Sequence, residues 1–221
     1  MIQALPGKPT VYLDIEPDAS GATYFWAAAA MLSGARIAAD GVTSACTQGD
    51  AAFPSLMSRV GAERYTTGDG CLGVAGGVGP LAPVMADMSD MPDAAVTLAV
   101  VAAFATGTSV IRGVRTLRVK ETDRIEALRV ELAKLGVTLE TDVNGDPGAI
   151  TINPPAGGID CSADAPPVTF ETYDDHRMAM ALSLAGLRRP NVLIADPGCV
   201  RKTYPTYFRE LARVIEAASG G

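Results

Sequence analysis

The sequence predicts an α/β (α+β) fold built from three βαβαββ repeats about a pseudo-threefold axis, with buried helices at its centre. A plan that recurs three times, alanine-rich helices apolar on every side, and turn signals at matching offsets carry this expectation. Residues 11–42 ("VYLDIEPDASGATYFWAAAAMLSGARIAADGV"), 83–114 and 167–197 each read as strand, acidic residue, small-residue helix, glycine or basic turn, and strand. The acids that open the three helices, Asp18, Asp93 and Asp175, stand 75 and 82 residues apart. Self-similarity at a fixed period marks one supersecondary unit used repeatedly.

Taken in order, the first repeat covers about residues 11–80, the second 83–155 and the third 167–218, within a single domain spanning 1–221. Each plan is followed by a second helical pattern, at 49–65, 120–136 and 202–218. The first two repeats then close with a hairpin, through "TGDG" at 67–70 and "NGDPG" at 144–148, whose Gly and Asn residues supply the positive φ of tight turns. No hairpin follows the third helix pair, so the third repeat reads as unfinished. Residues 1–10, "MIQALPGKPT", read as a linker or a short edge segment, because prolines cannot donate to a ladder. An unfinished sheet invites self-association or pairing with another chain.

The helices fall into two types. The stretch 94–105 is apolar all round, the mark of a helix surrounded by protein. Helix 122–135 puts Ile125, Leu128, Leu132 and Leu135 on one stripe and turns Glu126, Arg129, Glu131 and Lys134 largely elsewhere, as a half-exposed helix does. Three such repeats aim several helix N-termini at one face, where free N–H groups and helix dipoles favour anions. "LRVKETDR" (117–124) crowds five charges at one such entrance. If Lys120, Arg124, Arg177 and Lys202 share that face, they form an anion site, with Asp93 and Glu121 beside them for proton transfer. Asp18 reads as a helix cap, whereas for Asp93 and Asp175 cap and function weigh equally.

Composition excludes several alternatives. The 221 residues are 48% hydrophobic with a formal charge of −7, which argues against nucleic acid as a partner. Four of the eighteen Lys and Arg residues precede Arg112 and fourteen lie from there onward, so basic character is local. The apolar stretch 94–107 is too short for the ~20 residues of a membrane span, and no export signal opens the chain. The expected setting is the cytoplasm. Cys46, Cys71, Cys161 and Cys199 lack metal-ligand spacing and read as reduced thiols; with the lone His176 they offer no zinc site.

"EPDASGATYF" (16–25), "MPDAAVTLAV" (91–100), "RVKETDR" (118–124), "TYDDHRMAMA" (172–181) and "DPGCVRKTYPTYF" (196–208) resemble the C-terminal half of 5-enolpyruvylshikimate-3-phosphate synthases. "RVKETDR" and "DDHRMAMA" set these apart from UDP-N-acetylglucosamine enolpyruvyl transferases and RNA 3′-terminal phosphate cyclases, which share the fold. The resemblance implies one domain of a two-domain enzyme that moves the enolpyruvyl group of phosphoenolpyruvate onto shikimate 3-phosphate and releases phosphate, with no metal or other cofactor. It implies Asp93 at the shikimate hydroxyls, Glu121 as shuttle of the methylene proton, and Lys120 between the substrates. Arg124, Arg177 and Lys202 would hold phosphoenolpyruvate, with His176 as their neighbour. Thr116 stands where some members place an asparagine against the shikimate phosphate.

Two classes of function follow: half of a synthase that needs a complementary N-terminal domain, or a non-catalytic anion-binding or interaction module that keeps the fold. Acid–base residues beside the cations favour the first, since a module without turnover has no physical need of them.

Overall fold

The computed structural model describes residues 15–219, so the expectations for residues 1–10 and for a strand at 11–14 lie outside the described residues. Six α-helices and nine strands follow in the order α1 (Ala19–Met31), β1 (Arg36–Thr43), α2 (Phe53–Arg59), β2 (Glu63–Thr66), β3 (Cys71–Ala75), β4 (Met85–Asp87), α3 (Ala95–Ala103), β5 (Ser109–Arg112), α4 (Arg124–Ala133), β6 (Thr138–Val143), β7 (Asp146–Asn153), β8 (Val168–Phe170), α5 (His176–Ser183), β9 (Val192–Ile194) and α6 (Tyr207–Ser219). The middle repeat is the complete βαβαββ unit. Its sheet runs β4-β5-β7-β6, with β4 and β5 parallel and the other pairs antiparallel. Among the described residues the first repeat has the corresponding order β1-β3-β2, and the third has the parallel pair β8-β9 alone.

The small-residue helices lie at the centre, as their composition requires. All nine residues of α3 are buried, although Val96, Val100 and Val101 are β-branched and give up some helix propensity. Packing decides here: α3 touches both α1 and α5. In α1 the alanines allow close approach, and fully buried Trp26 sends its Nε1–H to the Leu72 carbonyl of β3 at 3.2 Å. Close approach also dictates Gly76, where a Cβ would sit 1.9 Å from the Leu32 carbonyl oxygen at the end of α1.

The hairpin expectations hold in detail. The 67–70 turn joins antiparallel β2 and β3. At the tip between β6 and β7, Asn144 and Gly145 both take positive φ, 55° and 79°, as the primed two-residue turn demands. Helix limits are tighter than the sequence patterns. The 49–65 segment is a 3₁₀ turn, then α2, and then Gly61 at φ 103° sends the chain into β2. At 120–136 the helix begins after Asp123, its N-cap, which accepts from Glu126 N–H at 3.0 Å. At 202–218, Pro205 delays the start to Tyr207, since the residue before a proline avoids the helical region.

The stripe of α4 is buried as expected, with Ile125, Leu128 and Leu132 fully enclosed. Glu131 departs from expectation: it is fully buried too, because Tyr173, Lys134 and the Glu171 backbone surround its carboxylate.

Among the described residues β9 pairs with β8 alone, and Leu193 is more than half exposed. Amides sheltered by fewer partners open more readily. Hydrogen exchange should therefore be faster in β9 and α6 than in β5 and β7. Uniformly slow exchange through all four would show that another segment covers the third repeat.

Candidate anion site at the helix N-termini

Asp18, Asp93 and Asp175 open the three central helices, and each does something different. Asp18 is a cap: its carboxylate accepts from Ser20 N–H at 2.9 Å. Asp175, fully buried, caps α5 through Arg177 N–H at 2.8 Å and also grips Arg124 with both oxygens, at 2.7 and 3.2 Å. Asp93, in the 3₁₀ turn Pro92–Ala94 before α3, makes no capping bond and faces cations instead. Of the two acids for which cap and function weigh equally, Asp175 both caps its helix and pairs with Arg124, and Asp93 makes ion pairs without a cap.

Arg124 is the hub. It is the first residue of α4, where the helix dipole disfavours a cation, and its side chain is only 1% exposed. Three carboxylates offset both costs. Besides Asp175, Nη1 donates to Asp93 at 3.0 Å and Nη2 to Glu121 at 2.7 Å. These acids in turn hold the other cations. Asp93 lies 3.3 Å from both Lys120 and Arg177, and Glu121 lies 3.0 Å from Lys202. All four predicted cations and both predicted acids thus meet in one network. Lys120 and Lys202 reach it from the turns preceding α4 and α6, not from helix entrances.

The electrostatics follow from this pairing. The Glu121 carboxyl is held down at about 2, first by the Lys202 hydrogen bond and further by Arg124. His176 is buried beside it, with Nδ1 unpartnered and 3.9 Å from Glu121. Burial pushes the imidazole below its ordinary value, and the surrounding charges oppose one another: Asp175 and Glu121 pull it up, Arg177 and Arg124 push it down. Solvent reaches the cations unequally: the Lys202 side chain is 67% exposed and Arg177 15%. Thr116 stands apart, exposed on the 3₁₀ turn Arg115–Val119 and lining a small cavity of about 390 Å³ with Asp87, Ser89 and Arg112.

Sequence reasoning missed Asp50 and Tyr24. Asp50 accepts from Ser20 Oγ at 3.0 Å, leaves its other oxygen buried without a partner, and is pushed upward by burial. Tyr24, fully buried near Arg177, is pushed up to about 12. Asp50 follows Gly49 in a glycine-led turn, which disguises it as an ordinary cap; Tyr24 looks like core. Between Phe170 and α5, Tyr173 and Asp174 take φ of 57° and 53°, a conformation that costs non-glycine residues about 1–3 kcal/mol each.

The chain can now be set beside known proteins. Residues 2–211 match the family model of EPSP synthase (3-phosphoshikimate 1-carboxyvinyltransferase). The chain belongs to the EPSP synthase family. It is 43% identical over 206 residues to the 3-phosphoshikimate 1-carboxyvinyltransferase of Burkholderia multivorans, covering 92% of this chain and 45% of that protein. The match to the Nitrosomonas europaea enzyme of the same name is 43% over 209 residues, 95% of this chain and 45% of the relative. The chain therefore spans about half the length of the curated EPSP synthases it matches. The fold agrees with a solved EPSP synthase from Acinetobacter baumannii (TM-score 0.68, 24% identity, 90% of this chain and 46% of that one). It also agrees with the enolpyruvyl transferase NikO from Streptomyces tendae (TM-score 0.61, 21% identity, 90% and 43%). The fold is thus one domain of the two-domain enolpyruvyl transferase architecture. No helix among the described residues is long and apolar enough to cross a membrane.

Two measurements test the network. Removing one partner of a fully buried ion pair strands the other, so Asp175→Ala should cost about 3–5 kcal/mol in urea unfolding, against about 1 kcal/mol for Asp18→Ala, where only a cap is lost. Similar losses for both would mean that Arg124 is not enclosed. Glu121 is depressed from 4.5 to about 2, so its ionised form favours the folded state. Its contribution is complete above pH 4.5 and disappears as pH falls towards 2. Glu121→Gln should accordingly lose less stability than the parent over that range, and parallel acid curves would show Glu121 unpaired in solution.

Proposed function

We propose that this chain forms the phosphoenolpyruvate-side wall of an EPSP synthase active site. With a complementary N-terminal domain it would transfer the enolpyruvyl group of phosphoenolpyruvate to the 5-hydroxyl of shikimate 3-phosphate. The observation that supports this most is the convergence of Lys120, Arg124, Arg177 and Lys202 with Asp93 and Glu121 at the helix N-termini.

In this reading the shikimate hydroxyl adds to the substituted carbon of phosphoenolpyruvate while the methylene carbon gains a proton. Phosphate then leaves as a proton is returned from the methyl carbon. Asp93 faces the shikimate hydroxyls, Lys120 lies between the substrates, and Thr116 serves the shikimate phosphate side. Glu121 carries the methylene proton, yet at about 2 in the unliganded network it is a poor acid. The substrate itself resolves this conflict. Its phosphate and carboxylate compete for the cations that Glu121 now holds, and each cation diverted lets the Glu121 carboxyl rise towards the range where it can donate. Lys202, the most exposed of the four cations, meets the anion first, and Arg124 pairs with it once Glu121 or Asp93 lets go.

The described residues build this face open on one side. Neither of the two cavities noted among them is lined by the network: the larger, about 1150 Å³, lies between α1, β1 and α6. Positioning both reactants and excluding water need a second wall. Phosphate release should therefore be absent with the purified chain and appear when a separately expressed N-terminal half is added. In that mixture Lys202→Ala should raise KM for phosphoenolpyruvate about tenfold, the low end for a charged hydrogen bond. Turnover by the chain alone, free of host enzyme, would refute the half-site reading.

A further inference from the structure

Glu131 is a buried carboxylate that the proposed chemistry does not use. It sits on α4 seven residues after Arg124, hence on the same face, about 10 Å along the helix. Its Oε1 accepts from Tyr173 OH at 2.7 Å, and its Oε2 accepts from Glu171 N–H at 2.9 Å and from Lys134 Nζ at 2.6 Å. Lys134 also donates to the Thr169 carbonyl at 3.0 Å. Every one of these partners lies in or beside the segment that ends in Asp175-His176-Arg177.

That segment needs holding. Tyr173 and Asp174 occupy the left-handed region in succession without being glycine. Left-handed backbone persists in such residues when surrounding contacts over-determine it. Asp175 N–H donates to the Thr172 carbonyl at 2.9 Å, closing the turn, and Asp175 then meets Arg124. Helix α4 therefore grips the loop twice: through Arg124 at the site end, and through Glu131 at the far end.

We infer that Glu131 is a positioning residue, which clamps the Tyr173–Asp174 turn to α4 and thereby sets where Asp175, His176 and Arg177 stand relative to Arg124 and Glu121. This role explains why a carboxylate stands where the helix pattern calls for a surface residue. It accepts three donors from three directions, which no apolar side chain can do and a glutamine does only in part.

The single histidine of the chain gives a direct reporter. The proton NMR titration of His176 would be followed in the untagged 221-residue chain, in Glu131→Gln, in Tyr173→Phe, and in Val74→Ala, a core change in the first repeat's sheet. Inorganic phosphate is titrated into each at low salt. Loosening the clamp admits water to the imidazole, so the first two variants should move its midpoint up towards 6.5, the ordinary value. They should also weaken phosphate binding roughly tenfold, within the ~10²-fold that a 1 Å misplacement can cost. Val74→Ala should lose stability and leave both readings in place. A purely structural Glu131 would behave like Val74→Ala, and parental His176 midpoints in Glu131→Gln and Tyr173→Phe would overturn the inference. Should Glu131→Gln fail to fold, Tyr173→Phe, which removes one hydroxyl from a partly exposed ring, decides alone. The phosphate arm rests on the anion-site reading: a parental chain that binds no phosphate counts against that reading, while the His176 midpoints still judge the clamp.

Discussion

The guanidinium of Arg124, sealed from water at the first turn of α4, constrains the rest of this molecule. A cation in that place suffers twice, from lost hydration and from the dipole of its own helix. Three carboxylates from three different stretches of chain must therefore converge on it, and two of them must in turn share themselves with Lys120, Arg177 and Lys202. The requirement ties α3, α4 and α5 together at one end. It also couples the members of the network, since each ion pair shares a partner with another.

Much of this was legible in the sequence because it is periodic or crowded. The apolar, alanine-rich stretches announced the central helices, the Asn-Gly and Gly-Asp-Gly turns announced two hairpins, and the density of charge in "LRVKETDR" announced a site. The residues that escaped are those whose chemistry is decided by distant neighbours. Glu131 lies in register with the surface side of α4 by local pattern, and only Tyr173 and Glu171, forty residues away in sequence, make it a core residue. Asp50 reads as a helix opener until Ser20, from another helix, is seen to hold it. Arg124 was read as a substrate cation; its near-complete enclosure by acids follows from the meeting of three helices, which no local window contains.

The site is charge-matched before any ligand arrives. Four cations stand against Asp93, Glu121, Asp175 and, near Arg177, Asp50. A face with several helix N-termini and four bare cations would repel itself in the absence of an anion. Internal acids offset that repulsion, and in the proposed function they would cost affinity, because an incoming anion would have to displace them. An acid displaced from its cations gains a proton more easily, so in the proposed function binding and acid–base competence would be coupled by the same exchange of partners.

The three repeats are alike in plan but unlike at one position. Where the second repeat brings Lys120 to the turn before its outer helix and Arg124 to the first position of that helix, and the third brings Arg201 with Lys202 to the corresponding turn, the first brings Gly49 and Asp50. The site cations therefore come from the second and third repeats, and the first contributes an acid at the matching turn. A phosphate monoester has three equivalent terminal oxygens, and a strictly threefold ring of cations would hold its ester substituent equally well in three settings. Breaking the ring at one repeat makes the field lopsided, so an anion held there, as proposed, would take one orientation on a scaffold that is otherwise nearly symmetric.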